Sequence, residues 1–190
     1  KDIEQLKRQV NAGMGLLIFL GDQTDPALYK ASLGEGGAKL LPAEILEAWG
    51  EVPKVGDLKI PAFRTLAGAT EHVSHPIMAD FNSDDAREIL PQVKIYRAFG
   101  LKPLPGDEVR VVAAYERGEP AVMERRVGLG SVLLAGFPAT TAWGNLPTQP
   151  AFVMLAKPVA LWLTRGYRPS KNLLAGAPLV ESGGKLFPVD

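Results

Sequence analysis

The stretch "GMGLLIFLGDQTDP", residues 13–26, decides the fold class of this chain. It joins a glycine turn, an unbroken apolar run at 16–20 and a polar turn that ends at Asp25 and Pro26. An apolar run without alternation is typical of a strand that is covered on both faces. Asp followed by Pro is typical of a helix N-terminus. These residues predict a central, buried strand at 16–20 that is followed closely by a helix.

The residues around this strand extend an α/β pattern. Upstream, Ile3, Leu6 and Val10 recur at helical spacing, and Gly13 provides a C-cap. Downstream, prolines and glycines break residues 34–70 into loops, within which "LLPAEILEAWG" can form a short helix. Helix, turn, buried strand and helix in close succession are typical of α/β proteins.

The second half of the chain is dominated by strand-like runs. These runs are "VKIYRAF" (93–99), "EVRVVAAYE" (108–116), "PAVMERRV" (120–127) and "SVLLAGFP" (131–138). Short glycine turns separate the last three, which predicts an antiparallel meander and therefore a mixed sheet. A helix is predicted from about 150 to 165, kinked near Pro158 and ended by Gly166.

Length and composition suggest one main domain. We predict an α/β domain over 1–166, followed by a linker or the start of another module over 167–190, where glycine and proline are frequent. The chain begins inside a helix and without methionine, so we expect a piece of a longer protein that is truncated at its N-terminus, although a processed or tag-cleaved chain would begin in the same way.

Charge and hydropathy exclude several classes of partner. The 21 basic and 21 acidic residues cancel, which gives no basic face for nucleic acid or an anionic membrane. The apolar stretch 151–163 is shorter than the roughly 20 residues that span a bilayer, and Lys157 and Pro158 interrupt it. We therefore expect neither nucleic-acid binding nor membrane insertion by this segment.

Two histidines form an H-x-x-H pattern. On a helix, His72 and His75 could share a metal ion, with Glu71 or Asp80 as a third ligand. Pro76 disfavours a helical conformation at His75. We therefore predict no metal and no cofactor, and expect the imidazole of His75 to hydrogen-bond the nearby backbone. The sequence has no cysteine, so thiolate sites are excluded.

Three further polar or aromatic side chains are candidates for ligand binding alongside His75. Asp22 follows the predicted strand, where a carboxylate can act as a base, although Asp after Gly is also common in turns. Trp143 and Asn145 lie in a polar loop, where the indole either lines a ligand groove or plugs the end of the core.

The glycine-rich and arginine motifs do not indicate a binding site. "GEGG" (34–37) and "GLG" (128–130) lack the strand-to-helix context of a phosphate-binding loop. Arg125 and Arg126 are adjacent on a predicted strand and therefore face opposite sides of it. A basic patch needs more than this pair.

The order of the motifs resembles a known family. "VNAGMGLLIFLGDQTDPALY" (10–29) resembles the V-x-x-G-G-G-L-L segment of class I glutamine amidotransferase-like domains, including the trehalose-utilisation (ThuA-like) branch. "SHPIMADF" (74–81) resembles their H-P-I…G-F segment, and "PAVMERRVGLGSVLLAGFP" (120–138) their late G-x-G-R-V strand. The resemblance implies a flavodoxin-like sheet.

A narrower resemblance concerns large bacterial membrane proteins with an aerotolerance-regulator (Bat-type) N-terminal region. Residues 118–134 and 140–163 are similar to the amidotransferase-like module of these proteins, and the likeness extends over roughly 3–166. It implies a periplasmic, extracytoplasmic position in a membrane-anchored parent protein. The partners it implies are other modules of that protein, or other proteins.

The chain departs from this family at the catalytic residues. Working amidotransferases carry a cysteine in the turn after the strand that corresponds to 16–20, where this chain has Leu20, Gly21 and Asp22. No histidine follows His75, so the family's triad has no counterpart. We therefore predict a non-catalytic interaction or structural module. The alternatives are a hydrolase that uses Asp22 and His75, and a carbohydrate- or ligand-binding module built around Trp143.

Overall fold

The computed structural model describes residues 2–54, 56–57, 60–67, 75–83, 86, 88–167, 179–180 and 186–187. Its helices are α1 (Asp2–Asn11), α2 (Pro26–Ser32) and α3 (Pro150–Leu163). The strands of the first half are β1 (Gly15–Phe19), β2 (Ala43–Gly50), β3 (Arg64–Ala67) and β4 (Lys94–Ile95). They are followed by β5 (Arg97–Pro103), β6 (Val109–Tyr115), β7 (Pro120–Val127) and β8 (Gly130–Ala135). A short hairpin, β9 (Leu179–Val180) and β10 (Leu186–Phe187), lies in the C-terminal segment.

The predicted mixed α/β architecture is confirmed. A six-stranded sheet has the order β1-β8-β7-β6-β3-β4, in which β1 pairs with β8 in parallel and the other pairs are antiparallel. Strands β6, β7 and β8 form the predicted meander. The β6–β7 register shifts near Ala113, and such irregularities bend and twist a sheet. The predicted boundary at 166 depends on the C-terminal segment, most of which lies outside the described residues, so it stays a prediction.

The predicted central position of the first strand is wrong. Within the described sheet β1 is at one end of the strand order and pairs with β8 alone. Ile18 and Leu20 are buried, but Phe19 is 39% exposed. An apolar run indicates that both faces of a strand contact apolar neighbours. It does not indicate how many strands pair with it. Here Leu17 and Phe19 face α3 at the sheet edge.

The predicted short helix in "LLPAEILEAWG" is also wrong, because residues 43–50 of this stretch form β2. Strand β2 pairs antiparallel with β5 from Ala43–Pro103 to Gly50–Arg97, with an irregularity between Ile45 and Ala48. Tertiary pairing overrides the local helix preference of this segment. The two-stranded ribbon is tied to the main sheet by the Phe99 N–H, which donates to the Gly136 carbonyl at 2.8 Å.

The two faces of the main sheet are covered differently. The β2–β5 ribbon covers one face, whose side chains from β7 and β8 are fully buried: Ala121, Met123, Val132 and Leu134. Helix α3 and a 3₁₀ segment, Pro76–Asn82, cover the other. Of the residues in α3 only Ala151 is buried. No helix among the described residues is long and apolar enough to cross a membrane.

The predicted start of the second helix is confirmed. The Asp25 carboxylate accepts hydrogen bonds from the N–H groups of Ala27 at 2.9 Å and Leu28 at 3.3 Å. Pro26 occupies the first turn, where its missing N–H costs nothing. Asp25 is therefore a capping residue and takes no other role in the arrangement described below.

Candidate functional site

The polar turn after β1 is closed by hydrogen bonds between its own residues. The Gly21 N–H donates to the Thr24 hydroxyl at 2.9 Å, and the Thr24 N–H donates to the Gly21 carbonyl at 2.9 Å. The Asp22 carboxylate accepts the indole N–H of Trp143 at 3.1 Å. Two sequence-predicted residues, Asp22 and Trp143, are thus brought together, but as partners of each other.

Trp143 plugs the end of the core, which was one of its two predicted roles. Its side chain is 2% exposed and packs against Phe99, with 5.6 Å between ring centroids. The Arg97 guanidinium lies over the indole at 5.0 Å from its centroid. A ring whose faces and N–H are all occupied by the protein offers little surface to a carbohydrate or another ligand.

Asn145 is used in the same internal way. Its side-chain oxygen accepts the Lys94 N–H at 2.7 Å, and its amide nitrogen donates to the Gln92 carbonyl at 3.0 Å. The side chain therefore clamps the loop after β8 to the segment that begins β4. This is a structural role, since both ends of the amide are already hydrogen-bonded to backbone groups.

His75 hydrogen-bonds the nearby backbone, as predicted, and also reaches a buried carboxylate. Its Nδ1 accepts the Ile77 N–H at 3.2 Å, which assigns the ring proton to Nε2. Nε2 then donates to Glu124 Oε2 at 3.0 Å, and the Trp162 indole donates to Glu124 Oε1 at 2.5 Å. The side chains of His75 and Glu124 are almost completely buried.

The buried carboxylate of Glu124 is held in its charged form. Burial by itself raises the pKa of Glu124, but hydrogen bonds from His75, Trp162 and Ser131 outweigh burial and hold the pKa below its usual value. Sequence reasoning missed this residue. The available signal was an acidic side chain in the middle of the strand-like run "PAVMERRV", where a buried charge requires partners.

The structure does not bring Asp22 and His75 together. Glu124, the partner of His75, is hydrogen-bonded to Ser131, and Ser131 pairs with Gly15 at the start of β1. Asp22 follows the other end of β1, and the strand rises about 3.3 Å per residue, so the length of the strand separates the two sites. The pair proposed for a hydrolase is therefore not assembled.

The proposed metal ligands are not assembled in the described residues either. Glu71 and His72 lie outside these residues, while Asp80 lies in the 3₁₀ segment that begins beside His75. Across the residues that the structure describes, no group of three or more histidine, aspartate or glutamate side chains is arranged to hold a metal ion.

An apolar groove lies between α3 and the sheet. Its volume is about 360 Å³, within the range of small-molecule pockets. The sheet contributes Leu17, Phe19, Val122, Leu133 and Ala135; α3 contributes Phe152, Leu155, Ala156, Val159 and Ala160; and the 3₁₀ segment contributes Ile77 and Met78. None of its lining residues in the described part of the chain is charged. Sequence analysis identified the apolar stretch of α3 but did not connect it with a binding surface.

Two solved structures resemble this fold. The cytoplasmic protein STM1381 of Salmonella typhimurium LT2 is 18% identical, with a TM-score of 0.57 over 87% of this chain. The cytoplasmic protein STM3548 of Salmonella typhimurium is 17% identical, with a TM-score of 0.61 over 84% of this chain. The chain spans 59% of the length of each of these proteins. No protein-family model and no curated protein matches the chain.

These comparisons correct one expectation. Identities of 17% and 18% show similarity of fold alone. Both similar proteins are nevertheless described as cytoplasmic, which contradicts the extracytoplasmic, periplasmic location that the resemblance to Bat-type membrane proteins implied. That expectation was wrong, because it was based on a likeness between modules and on no targeting feature of this chain.

Proposed function

We propose that this domain is a non-catalytic interaction module whose apolar groove, together with the outer surface of α3, binds apolar side chains of a protein partner. The observation that carries the proposal is the poor cover of α3, a helix that is apolar around most of its circumference. Val153 is 74% exposed, Leu161 47% and Phe152 36%. Helices of this kind are normally buried, and exposed apolar patches mark interaction surfaces.

The partner is a further part of the same polypeptide or a separate protein. The similar Salmonella proteins are longer, since this chain spans 59% of each, so the matched region there is one part of a larger chain. A partner that contributes one or two apolar side chains would fill the groove and cover Val153 and Leu161. Burial of apolar surface stabilises such a contact by about 25 cal/mol per Å².

We also propose a more specific assignment of the fold. We interpret the sheet as a derivative of the flavodoxin-like sheet of class I amidotransferase-like (ThuA-like) domains. In its support, β1 and β8 are parallel neighbours, and a polar turn directly follows β1, as a turn with the nucleophile does in that family.

The proposal that the domain is non-catalytic is supported by the hydrogen bonds that already engage the candidate polar side chains. Asp22 accepts from Trp143, the hydroxyl of Thr24 accepts from Gly21, and His75 is enclosed with Glu124. A nucleophile needs a base within hydrogen-bond reach, and neither Asp22 nor Thr24 has one among the described residues. We therefore expect no release of ammonia from glutamine above the buffer rate. Ammonia release that is abolished by Asp22→Ala or His75→Ala would overturn this part of the proposal.

The binding part is tested with a neutral fluorescent apolar probe, N-phenyl-1-naphthylamine. Ala160→Phe places a ring in the groove, while Val153→Phe places the same ring on the outer surface of the same helix. We expect saturable probe binding by the wild type, at least about tenfold weaker binding by Ala160→Phe, and little change for Val153→Phe. Equal affinity of the wild type and Ala160→Phe, with both variants folded by circular dichroism, would contradict the groove as the binding site.

A further inference from the structure

A second cavity lies beside the C-terminal end of α3 and is chemically unlike the apolar groove. Its volume is about 480 Å³. Three arginines from three elements line it: Arg110 from β6, Arg126 from β7 and Arg165 from the turn after α3. Ser131 and Trp162 line it as well, and none of its described lining residues is acidic. We call it the arginine cavity.

The sheet register explains why two of the arginines converge. Arg110 is directly opposite Glu124, and Arg126 is directly opposite Ser131 on the next strand. Residues 124 and 126 are two apart on β7, so their side chains point to the same face of the sheet, together with Arg110 and Ser131. This is the face on which α3 lies.

Arg165 is positioned by an aromatic ring. Its guanidinium lies 4.0 Å from the centroid of Trp162, and the indole N–H of Trp162 is bound by the buried carboxylate of Glu124. Cation–π stacking of this kind orients a guanidinium and leaves its N–H edges available. The buried His75–Glu124–Trp162 network thus supports one wall of the cavity.

The positive charge of the cavity is not balanced locally. Across the part of the chain that the structure describes, neither Arg110, Arg126 nor Arg165 forms an ion pair, whereas Arg64 and Arg125 do. Glu124, which is opposite Arg110 on the same face, uses both carboxylate oxygens for His75 and Trp162. The whole chain is neutral, so three arginines around one concave surface form a marked local excess.

We propose that the arginine cavity binds the phosphate group of a small anionic ligand. Guanidinium groups donate in pairs to phosphate oxygens, and a phosphate has enough oxygens to engage several of them at once, whereas a carboxylate has only two. This site is separate from the surface proposed for a protein partner, although Leu163 lines both cavities.

Isothermal titration calorimetry at low ionic strength tests this site, with sodium chloride of equal ionic strength as the reference. The probes are inorganic phosphate and glycerol 3-phosphate, which separate free phosphate from a phosphate ester as the source of the group. We expect saturable binding with one site per chain. Tighter binding of inorganic phosphate identifies the free ion, and tighter binding of glycerol 3-phosphate identifies an ester.

Matched variants decide whether the arginines are responsible. Arg110→Gln and Arg126→Gln should each weaken binding about tenfold, because each removes a charged pair of donors. Arg117→Gln removes the same charge from an exposed turn outside the cavity and should leave the affinity unchanged. No saturable binding by the wild type, or an equal loss in Arg117→Gln, would overturn the proposal, since the second result indicates only general attraction by positive charge.

Discussion

The two faces of the main sheet differ in how completely they are packed. On the face under the β2–β5 ribbon, Met123, Val132 and Leu134 are fully buried and belong to one core cluster with Leu101 and Ile45. On the face under α3, Leu133 is buried by its strand neighbours, yet a groove of about 360 Å³ remains between sheet and helix. The same strands, β7 and β8, contribute to both faces, so strand sequence alone does not cause the difference.

The cause lies in what covers each face. A β-ribbon follows the twist of the sheet beneath it and is tied to it by backbone hydrogen bonds such as that from Phe99 to Gly136. A single helix touches a twisted sheet along a line, and α3 is held at its C-terminal end by Trp162 and Glu124. We infer that the packed face provides stability and the α3 face provides binding surfaces. Six substitutions at five positions test this division.

The largest effect is expected on the packed face. Leu134→Ala should lower the free energy of unfolding by about 3–5 kcal/mol, because the cavity that it leaves cannot collapse beneath the ribbon. Leu155→Ala, a half-buried position on α3, should cost only about 1–2 kcal/mol. Urea unfolding of both variants at equal protein concentration measures the difference. Equal losses of unfolding free energy in the two variants would contradict the distinction between the faces.

The next largest effect is expected at Glu124, whose hydrogen bond with Trp162 holds the C-terminal end of α3. Glu124→Gln places an amide NH₂ against one of two N–H donors, His75 Nε2 or Trp162 Nε1, and should cost about 2–3 kcal/mol at pH 7. The pKa of Glu124 is lowered in the folded state. Its contribution is therefore complete above the usual pKa of 4.5 and is lost as the pH falls through the lower folded pKa.

The pH dependence gives this prediction its control. The difference in stability between the wild type and Glu124→Gln should narrow as the pH is lowered below about 4.5, because only the wild type loses a charged carboxylate there. Urea unfolding at pH 7 and at pH 3.5 measures it. A difference that stays constant between these pH values would show that Glu124 is not the charged centre of the network.

A smaller effect is expected at the turn after β1. Asp22→Ala removes one hydrogen bond to the Trp143 indole at an exposed position and should cost about 1 kcal/mol. Asp22→Asn keeps an acceptor oxygen and should cost less than half of that. Thermal unfolding of the two variants, compared with the wild type, measures both. A loss much larger than 1 kcal/mol would mean that the turn does more than close the core over Trp143.

The smallest effect is expected at a polar atom beside the packed face. The hydroxyl of Tyr115 is buried without a hydrogen-bond partner among the described residues, and burial raises the pKa of this phenol. The ring itself packs edge-on against Trp49, at 5.4 Å between centroids. Tyr115→Phe keeps the ring and should be neutral or stabilising by up to about 1 kcal/mol. A clear loss of stability in calorimetry would reveal a partner for the hydroxyl.

Local features of the sequence predicted local features of the fold. The Asp25 cap, the β6–β8 meander and the backbone hydrogen bond of His75 each depend on residues that are near one another in the chain. The edge position of β1 depends on its pairing with β8, and the strand conformation of β2 depends on its pairing with β5. The paired residues are 116 positions apart for β1 and 47 to 60 positions apart for β2. Hydrophobic pattern does not encode such distant partners.

The same limit applies to the candidate site. The sequence pattern identified His75 and Trp143 as unusual residues. It could not show that their N–H groups would donate hydrogen bonds to Glu124 and Asp22. Strand alternation predicted opposite faces for Arg125 and Arg126, but it could not show that Arg126 lines one cavity with Arg110 and Arg165, which lie on other elements. Binding surfaces made from several elements become visible only in the folded chain.

The most direct test of this division is a methyl NMR titration of the wild-type protein with 1-decanol, a neutral apolar probe. Val122, Leu133, Leu155 and Val159 line the apolar groove, whereas Leu101, Met123, Val132 and Leu134 belong to the packed face. We predict saturable chemical-shift changes at the first four residues and none of comparable size at the second four. Changes of similar size on both faces, or changes confined to the packed face, would contradict the assignment of binding to the α3 face.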